Sequence, residues 1–315
     1  MSMGADTNLS GPAPRAGSGD GTARRPGEGV SAPLHDAGKP IRRRRRYAEW
    51  IGVPIIGLFV LIFVRDLFVN PNWKWHIVGE YLFNPLVLTG VAKTIGLTLL
   101  TAITGTLLGL TIAAMRLSRS WLFRWMAVIF VGFMRAIPAL VLLLFIYFTS
   151  ALFPNLGFYN PFTGEAIWLI PINDIITKFM AAWIGLTLLM GSHAAEIFRG
   201  GVISVPKGQS EAAKALGMPP FLAFREIVLP QAIRVSIPAL ANEIINLFKN
   251  TSLVSIIGFT ELLTVVQAIY GRTYQTIPML IVACIWYLVI VIISMQGQRL
   301  LEKRFGRGFG DGRIA

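Results

Sequence analysis

Six polar side chains lie within or beside strongly apolar stretches of the second half of this 315-residue chain. They are His193, Glu196, Asn242, Glu243, Asn246 and Lys249. A charge at mid-bilayer costs about 2.5–3.5 kcal/mol on insertion scales, so such groups are expected to face a cavity or one another. Asn242, Asn246 and Lys249 follow i, i+4, i+7 spacing, which places them on one helix face with Glu243 beside them. This pattern predicts the lining of a pathway for a polar solute.

Each of these residues also has a structural interpretation. Glu196 and Arg199 are three residues apart, which favours an ion pair on one helix near the membrane surface. His193 lies about one turn away, and we expect it to be a packed histidine rather than a ligand contact. For Asn242 and Asn246, interhelical hydrogen bonding and contact with solute are both open.

A polar segment, residues 199–230, separates two apolar blocks and is named here the 199–230 loop. Ser204 is placed to cap a helix, Pro206 is tolerated in its first turn, and residues 211–216 are good helix formers. Gly217 stands where a left-handed residue ends a helix. The first half of the loop is therefore predicted to be a short, sharply terminated helix.

The second half of the loop begins with Pro219 and Pro220, which prevent the first helix from continuing. A second short helix is predicted to follow, with Phe221 and Phe224 on one face, and to stop at Pro230. Together the two halves predict a rigid helix-turn-helix held at a membrane surface.

The spacing within the loop resembles the EAA loop of ABC-importer permease subunits. The matching residues are Glu211-Ala212-Ala213, three residues, Gly217, nine residues, and then Ile227-x-Leu229-Pro230. The flanking patterns Glu196-x-x-Arg199-Gly-Gly and Lys249-x-Thr251-Ser252-Leu253 are similar to the polar amino-acid branch of that family. The resemblance covers about residues 86–300 and does not extend well into the first 85.

The resemblance implies an all-α polytopic membrane protein of type I ABC-importer permease architecture, with about six transmembrane helices and a cytoplasmic helix-turn-helix coupling loop. It implies translocation of a polar amino acid delivered by an extracytoplasmic substrate-binding protein, beside a second, identical or homologous permease subunit. An ATP-binding subunit dimer would bind ATP and Mg and would dock on the coupling residues. These are Glu211, Ala212, Ala213, Leu216, Gly217, Met218 and Pro219.

The composition agrees with a helical membrane protein that has cationic loops. The chain is 54% hydrophobic and 14% charged, with net charge +13 and mean hydropathy +0.61. Lys and Arg punctuate the apolar runs instead of sharing one soluble face, so the expected anionic partner is membrane lipid and not nucleic acid. The sequence has no Gly-x-x-x-x-Gly-Lys-Ser/Thr motif, so ATP hydrolysis is assigned to a separate subunit and none to this chain.

Metal and catalytic sites are not predicted. The three histidines, His35, His76 and His193, fall in different compartments of the expected topology. No paired carboxylates or Ser-His-Asp arrangement stand out in one aqueous segment. The single cysteine, Cys284, lies in an apolar run and is expected to be a packed, inert thiol.

Six apolar spans are expected to position these residues. They are residues 50–69, 94–115, 136–152, 179–198, 236–257 and 277–295. The second span carries Gly105-x-x-x-Gly109, a small-residue pattern that permits close helix packing. Residues 116–134 are predicted to lie on the inner surface as an amphipathic helix, and residues 154–173 and 258–276 to be external.

The chain is predicted to contain four regions. Residues 1–46 read as a disordered basic tail, and residues 47–85 as an additional N-terminal transmembrane helix with an external loop. Residues 86–300 form the permease domain, and residues 301–315 a basic cytoplasmic tail.

The distribution of positive charge predicts the orientation. With both termini inside, only five of the 29 Lys and Arg residues fall outside or at outer helix ends. These are Arg65, Lys74, Lys93, Lys178 and Arg272. Such an asymmetry follows the positive-inside rule and predicts that the 199–230 loop lies on the cytoplasmic side of a prokaryotic cell membrane.

Three alternatives are kept beside this interpretation, and one of them is a sensor or scaffold, which would show no flux of solute. The intramembrane Glu and Lys could serve an ion relay in a secondary transporter or channel, which predicts two halves with matching broken spans that the sequence does not show. An ABC permease could also carry an osmolyte or an opine-like compound. The residues do not distinguish which amino acid is carried, or whether the partner permease is identical.

Overall fold

The computed structural model describes residues 47–159, 162–164 and 166–305, and the chain divides into two compact units, residues 1–62 and 63–315. The predicted tail at residues 1–46, with its arginine run, and the end of the chain from residue 306 lie outside the described residues. The α-helices are α1 (Tyr47–Val69), α2 (Trp75–Leu82), α3 (Pro85–Leu117), α4 (Trp121–Ala136), α5 (Ala139–Tyr147), α6 (Thr149–Leu152), α7 (Ile172–Ile175), α8 (Lys178–Ile203), α9 (Lys207–Ala215), α10 (Pro220–Ala223), α11 (Leu229–Asn250), α12 (Leu262–Thr273) and α13 (Thr276–Phe305).

Short segments of other geometry connect these helices. Two are 3₁₀-helical, Pro71–Trp73 and Thr251–Ile257, and one is π-helical, Phe224–Val228. Two strands, β1 (Asn155–Tyr159) and β2 (Ala166–Pro171), pair as an antiparallel hairpin. The hairpin lies within residues 154–173, the segment that the sequence predicts to be external.

Among the described residues, four single helices are long and apolar enough to cross a membrane, and two bent helix pairs raise the number to six. The single helices are α1, α3, α8 and α13, and the bent pairs join α4 to α5 and the helical run Pro220–Ile257 to α12. This agrees with the predicted multi-pass, almost entirely helical architecture of about six spans.

Helix α1 has the exposure of a membrane-facing span. Every side chain from Val53 to Asp66 is exposed, although most of them are apolar. A helix that is apolar on all sides is typical of a bilayer segment. The length and apolar composition of this segment are sufficient to predict the helix from the sequence.

The close packing predicted from Gly105 and Gly109 is present between α3 and α8. A Cβ at Gly105 would lie 2.5 Å from Met190 Cγ, and one at Gly109 would lie 2.5 Å from Ala194 Cβ. Such separations leave no room for a methyl group. The small residues therefore allow the two helix backbones to approach each other, as the pattern predicts.

The third predicted span differs most from its expected form. Helix α5 has nine residues, which at about 1.5 Å per residue is too short to cross a core of about 30 Å. Ile137 and Pro138 interrupt the helix, because Pro138 is extended and removes a donor, and α4 and α5 meet at 102°. Helix α6 follows α5 after Phe148, so the helical part of the predicted span 136–152 runs from residue 139 to residue 152, a length of about 21 Å.

Helix α12 occupies most of residues 258–276, which the sequence predicts to be external and partly helical, and its apolar side packs against other helices. Leu262 and Val266 are fully buried in a core cluster with Val87 of α3 and Met279 of α13. Cys284 of α13 is exposed, which corrects the expectation of a packed thiol. The outer face of α13 that carries it is also exposed at Leu280 and Leu288 and has no helix of the described chain against it.

Candidate functional site

The first half of the 199–230 loop is a helix that ends at a left-handed glycine. Helix α9 ends at Ala215, and Gly217 has φ +72°. Gly217 N donates to Lys214 O and Met218 N donates to Ala213 O, both at 3.0 Å. These two bonds form a Schellman motif, which satisfies carbonyls at the helix end and reverses the chain. The predicted role of Gly217 is thus present in the geometry.

The start of this helix differs from its prediction. Pro206 is the N-cap residue of α9, and Ser204 stands at the end of α8 instead. The Ser204 hydroxyl donates to Gly201 O at 2.7 Å, so it is not available to cap α9. The prediction for Ser204 was wrong because its hydroxyl reaches the carbonyl three residues back before any new helix begins.

The second half of the loop does not stop at Pro230. Helix α10 continues through the π-helical segment into α11, and Pro230 lies in the first turn of α11. Leu229 N bonds to Phe224 O, five residues earlier. The wider turn places the proline where its missing N–H is tolerated, and Gln231 Nε2 donates to Ile227 O at 2.9 Å. The chain therefore runs without a break from the loop into α11.

The loop presents most of its predicted coupling residues to solvent. Glu211, Ala212, Leu216, Gly217 and Pro219 are exposed, and Leu216 is 81% exposed. Met218 is half-buried. Ala213 is 1% exposed and packs inside the loop, so it supports the loop from within and does not face outward.

A cavity of about 800 Å³ lies behind α9. Its walls combine apolar side chains from α8, the π-helical segment and the turn with the stems of charged residues on α9. They include Val202, Val205, Lys214, Met218, Phe224 and Val228.

The polar face predicted on α11 is present. Asn242 and Lys249 are exposed and Asn246 is half-buried, within a helix whose Ile245, Leu247 and Phe248 are buried. Glu243 reaches across to α8, where its Oε1 lies 2.7 Å from His193 Nδ1. The structure thus brings His193 and Glu243 together, and the side chains of Asn242 and Lys249 remain exposed on the polar face of α11.

Glu196 forms the ion pair with Arg199 that the sequence predicts, and a second one that it does not. Its Oε2 accepts from Arg199 Nη2 at 2.7 Å, and its Oε1 contacts Arg116 from the end of α3. The sequence analysis had assigned Arg116 to a surface helix. Instead α3 extends through it, and the carboxylate ties the ends of α3 and α8 together.

The most deeply buried carboxylate was missed by the sequence analysis. Glu261 is 0% exposed and caps α12, its Oε1 accepting from Thr264 N at 2.8 Å. Tyr287 of α13 donates to Glu261 Oε2 at 2.7 Å, and Thr94 Oγ1 of α3 lies 3.5 Å from the same oxygen. We name Thr94, Glu261, Thr264 and Tyr287 the Glu261 cluster. The one local signal is an acidic residue just before an apolar helix, which indicates a cap and not partners on two other helices.

No group of three metal-ligating side chains is found within the described residues. The polar constellations are therefore an exposed rigid loop, a polar helix face and buried ion-pair or hydrogen-bond clusters. These arrangements are suited to docking and to a polar route through apolar helices.

Comparison with known proteins gives consistent results. The profile of the family described as "Binding-protein-dependent transport system inner membrane component" matches residues 105–307. The arginine transport system permease protein ArgU of Corynebacterium glutamicum is 36% identical over 90% of this chain and 87% of its own length. The probable amino-acid ABC transporter permease protein YckA of Bacillus subtilis is 35% identical over 72% of this chain and 95% of its own.

A solved structure of an amino acid ABC transporter with histidines is also similar. It aligns with a TM-score of 0.62 and 32% identity, covering 72% of this chain and 98% of that one. The region that the family profile matches, residues 105–307, contains the 199–230 loop, α11 and three members of the Glu261 cluster, namely Glu261, Thr264 and Tyr287. The chain therefore belongs to the family of binding-protein-dependent transport system inner membrane components, and it is a multi-pass permease subunit of an ABC importer.

Proposed function

We propose that this permease moves a polar amino acid inward when a separate pair of ATP-binding subunits presses on the 199–230 loop. The observation that carries the proposal is the loop itself, a short helix closed by a Schellman turn at Gly217 and exposed at Glu211 and Leu216. A docking element must be both accessible and stiff. The loop has both properties.

The connection of the loop to the spans supports its mechanical role. Helix α8 ends one residue before Ser204, and the run from α10 to α11 has no break in its helical backbone. Motion of a docked subunit would therefore reach α8 and α11 together as rigid-body motion. Because the sequence has no phosphate-binding loop motif, the ATP and Mg of the cycle are assigned to the partner.

The other partners follow from the same proposal. The loop and both termini lie on the cytoplasmic side of a prokaryotic cell membrane, and the distribution of Lys and Arg supports this orientation. A second permease subunit, identical or homologous, completes the membrane part. An extracytoplasmic binding protein delivers the amino acid on the opposite side.

The polar face of α11 is proposed to line the solute pathway. Asn242, Asn246 and Lys249 lie on an element bordered by buried apolar side chains, and the hydrogen-bonded pair of Glu243 and His193 lies beside them. Such groups in a span are retained where they face a cavity or a partner. A polar amino acid offers matching donors and acceptors.

Reconstitution tests the proposal. Proteoliposomes that contain this chain, its ATPase and its binding protein are expected to accumulate labelled amino acid only with ATP, and to the same extent when the proton gradient is collapsed. A panel of polar amino acids, an opine and an osmolyte would identify the solute. Uptake that needs the proton gradient and not ATP would contradict the proposal and favour a secondary transporter.

The pathway has its own test. Asn246→Leu is expected to lower the uptake rate by about fivefold, because one polar contact with the solute is lost. Asn173→Leu, at an exposed position outside the candidate spans, is the matched control and should leave uptake unchanged. Normal uptake by a well-expressed Asn246→Leu variant would remove that residue from the pathway.

A further inference from the structure

The Glu261 cluster lies at the break of a candidate span. The helical run that contains α11 ends with the 3₁₀ segment Thr251–Ile257, and α12 follows at 46° to it. Gly258, with φ +70°, makes the turn between them. Glu261 is the first residue after that turn with a side chain bonded to another helix of the bundle. It therefore controls how the two halves of the broken span are joined.

The carboxylate is surrounded by donors and not by a countercharge. Oε1 accepts from the Thr264 backbone N–H, and Oε2 accepts from the Tyr287 hydroxyl. Among the described residues, no Lys, Arg or His forms an ion pair with it. Its position at the start of α12 adds the favourable dipole of a helix N-terminus. An ion pair thus does not explain the presence of a carboxylate at this buried position.

The cluster connects both halves of the broken span to helices on either side. Thr94 Oγ1 accepts from Leu262 N at 3.1 Å, which ties the first turn of α12 to α3. The Tyr287 hydroxyl, besides bonding Glu261, lies close to the side chain of Thr251, whose own hydroxyl donates to Phe248 O at 2.7 Å. Thr251 follows Lys249 by two residues. The chain of contacts therefore runs from the carboxylate to the end of the polar face of α11.

The geometry points to Glu261 as a positioning residue for transport. It holds Tyr287 against the end of α11 and α12 against α3, so that the polar face at Asn246 and Lys249 keeps its place while the loop side of α11 moves. This inference rests on the proposed function, because the face it positions is the proposed pathway.

Coupling measurements on the reconstituted complex test it. Glu261→Leu and Tyr287→Phe are expected to reduce the solute carried per ATP hydrolysed by about fivefold or more, since a buried hydrogen bond between two helices is lost and its other partner is left unsatisfied. Basal ATP hydrolysis should stay near that of the wild type. Glu261→Gln keeps the size and one acceptor oxygen, and should lose less than about twofold.

Thr177→Val is the matched control for the loss of a helix cap. Thr177 caps α8 by accepting from Met180 N at 3.2 Å, on a single helix. Its solute-to-ATP ratio should equal that of the wild type. Tyr287→Phe removes one oxygen atom and keeps the packing volume, so it reports on the contact even if Glu261→Leu does not assemble. A normal ratio in Tyr287→Phe, or equal losses in Glu261→Gln and Glu261→Leu, would overturn the positioning role.

A second readout needs neither ATPase nor solute. Spin labels at Leu99 and Ile256, both exposed, report the distance between α3 and the 3₁₀ segment in the purified chain. The distance distribution should broaden in Tyr287→Phe and stay narrow in Thr177→Val. A narrow distribution in Tyr287→Phe would contradict the inference even where ATP-driven uptake is observed, so the two proposals fail separately.

Discussion

The 199–230 loop and the Glu261 cluster both hold residues in place, but they do so with different partners. The turn at Gly217 is closed by two hydrogen bonds, from Gly217 N to Lys214 O and from Met218 N to Ala213 O, which join residues three and five positions apart. Glu261 is bonded to Tyr287, 26 residues away, and contacts Thr94, 167 residues away. The loop therefore keeps its shape through local contacts, whereas the cluster exists only when three helices are packed.

This difference predicts how substitutions in the two kinds of region will act. Substitutions on the surface of the loop should weaken binding of the partner subunit and leave the stability of the chain unaltered. Changes in the packed interior should lower stability first. The substitutions considered next are designed to separate these outcomes.

Leu216→Asp should have the largest effect. Leu216 is 81% exposed, so the change costs the isolated chain little, but loss of an apolar anchor at an interface is typically worth about 2 kcal/mol, or about thirtyfold in affinity. Binding of the ATPase to the reconstituted permease is the measurement. Phe158→Asp, at a 74% exposed position on β1, is the matched control and should bind the ATPase normally. Equal binding by both variants would place the ATPase elsewhere.

Gly217→Val should come next. A left-handed conformation costs a β-branched residue about 1–2 kcal/mol, so the population of correctly shaped loop and the uptake rate should fall by about tenfold. Gly208→Val is the control, because Gly208 lies in α9 without a positive φ and with no heavy atom near an added Cβ. Full uptake by Gly217→Val would show that the turn need not be rigid.

Gly109→Ala should have the smallest effect on transport but should lower stability. Its Cβ would lie 2.5 Å from Ala194 Cβ and 3.0 Å from Ala195 N, so α3 and α8 must separate, at a cost of at least about 1 kcal/mol. Gly132→Ala, with nothing near its added Cβ, should be neutral or stabilising by up to about 1 kcal/mol. Thermal unfolding in detergent compares the two. If both behave alike, the small-residue contact does not limit stability.

Local features of the molecule were predictable from the sequence, and for a physical reason. The Gly217 turn, the Glu196–Arg199 pair and the polar face of α11 depend on residues no more than seven positions apart, so spacing and helical geometry are sufficient. Gly105 and Gly109 indicated close packing because the absence of a side chain is itself the requirement.

Nonlocal and compensated features were not predictable. Neither Arg116 nor Glu261 carries a local signal of its partners, which α8, α3 and α13 supply after folding. Pro230 indicated a helix end, but a π-turn before it made room for the ring. Pro138 is the N-cap residue of α5, so the helix begins three residues later than the predicted span and bends by 102° from α4.

Hydrogen exchange across the permease, with and without its ATPase, tests the central claim most directly. If the 199–230 loop receives the ATPase, backbone exchange should slow in α9 and α10 and stay unchanged in the β1–β2 hairpin. Protection elsewhere in the chain, with none in α9 or α10, would contradict the assignment of the loop as the docking element.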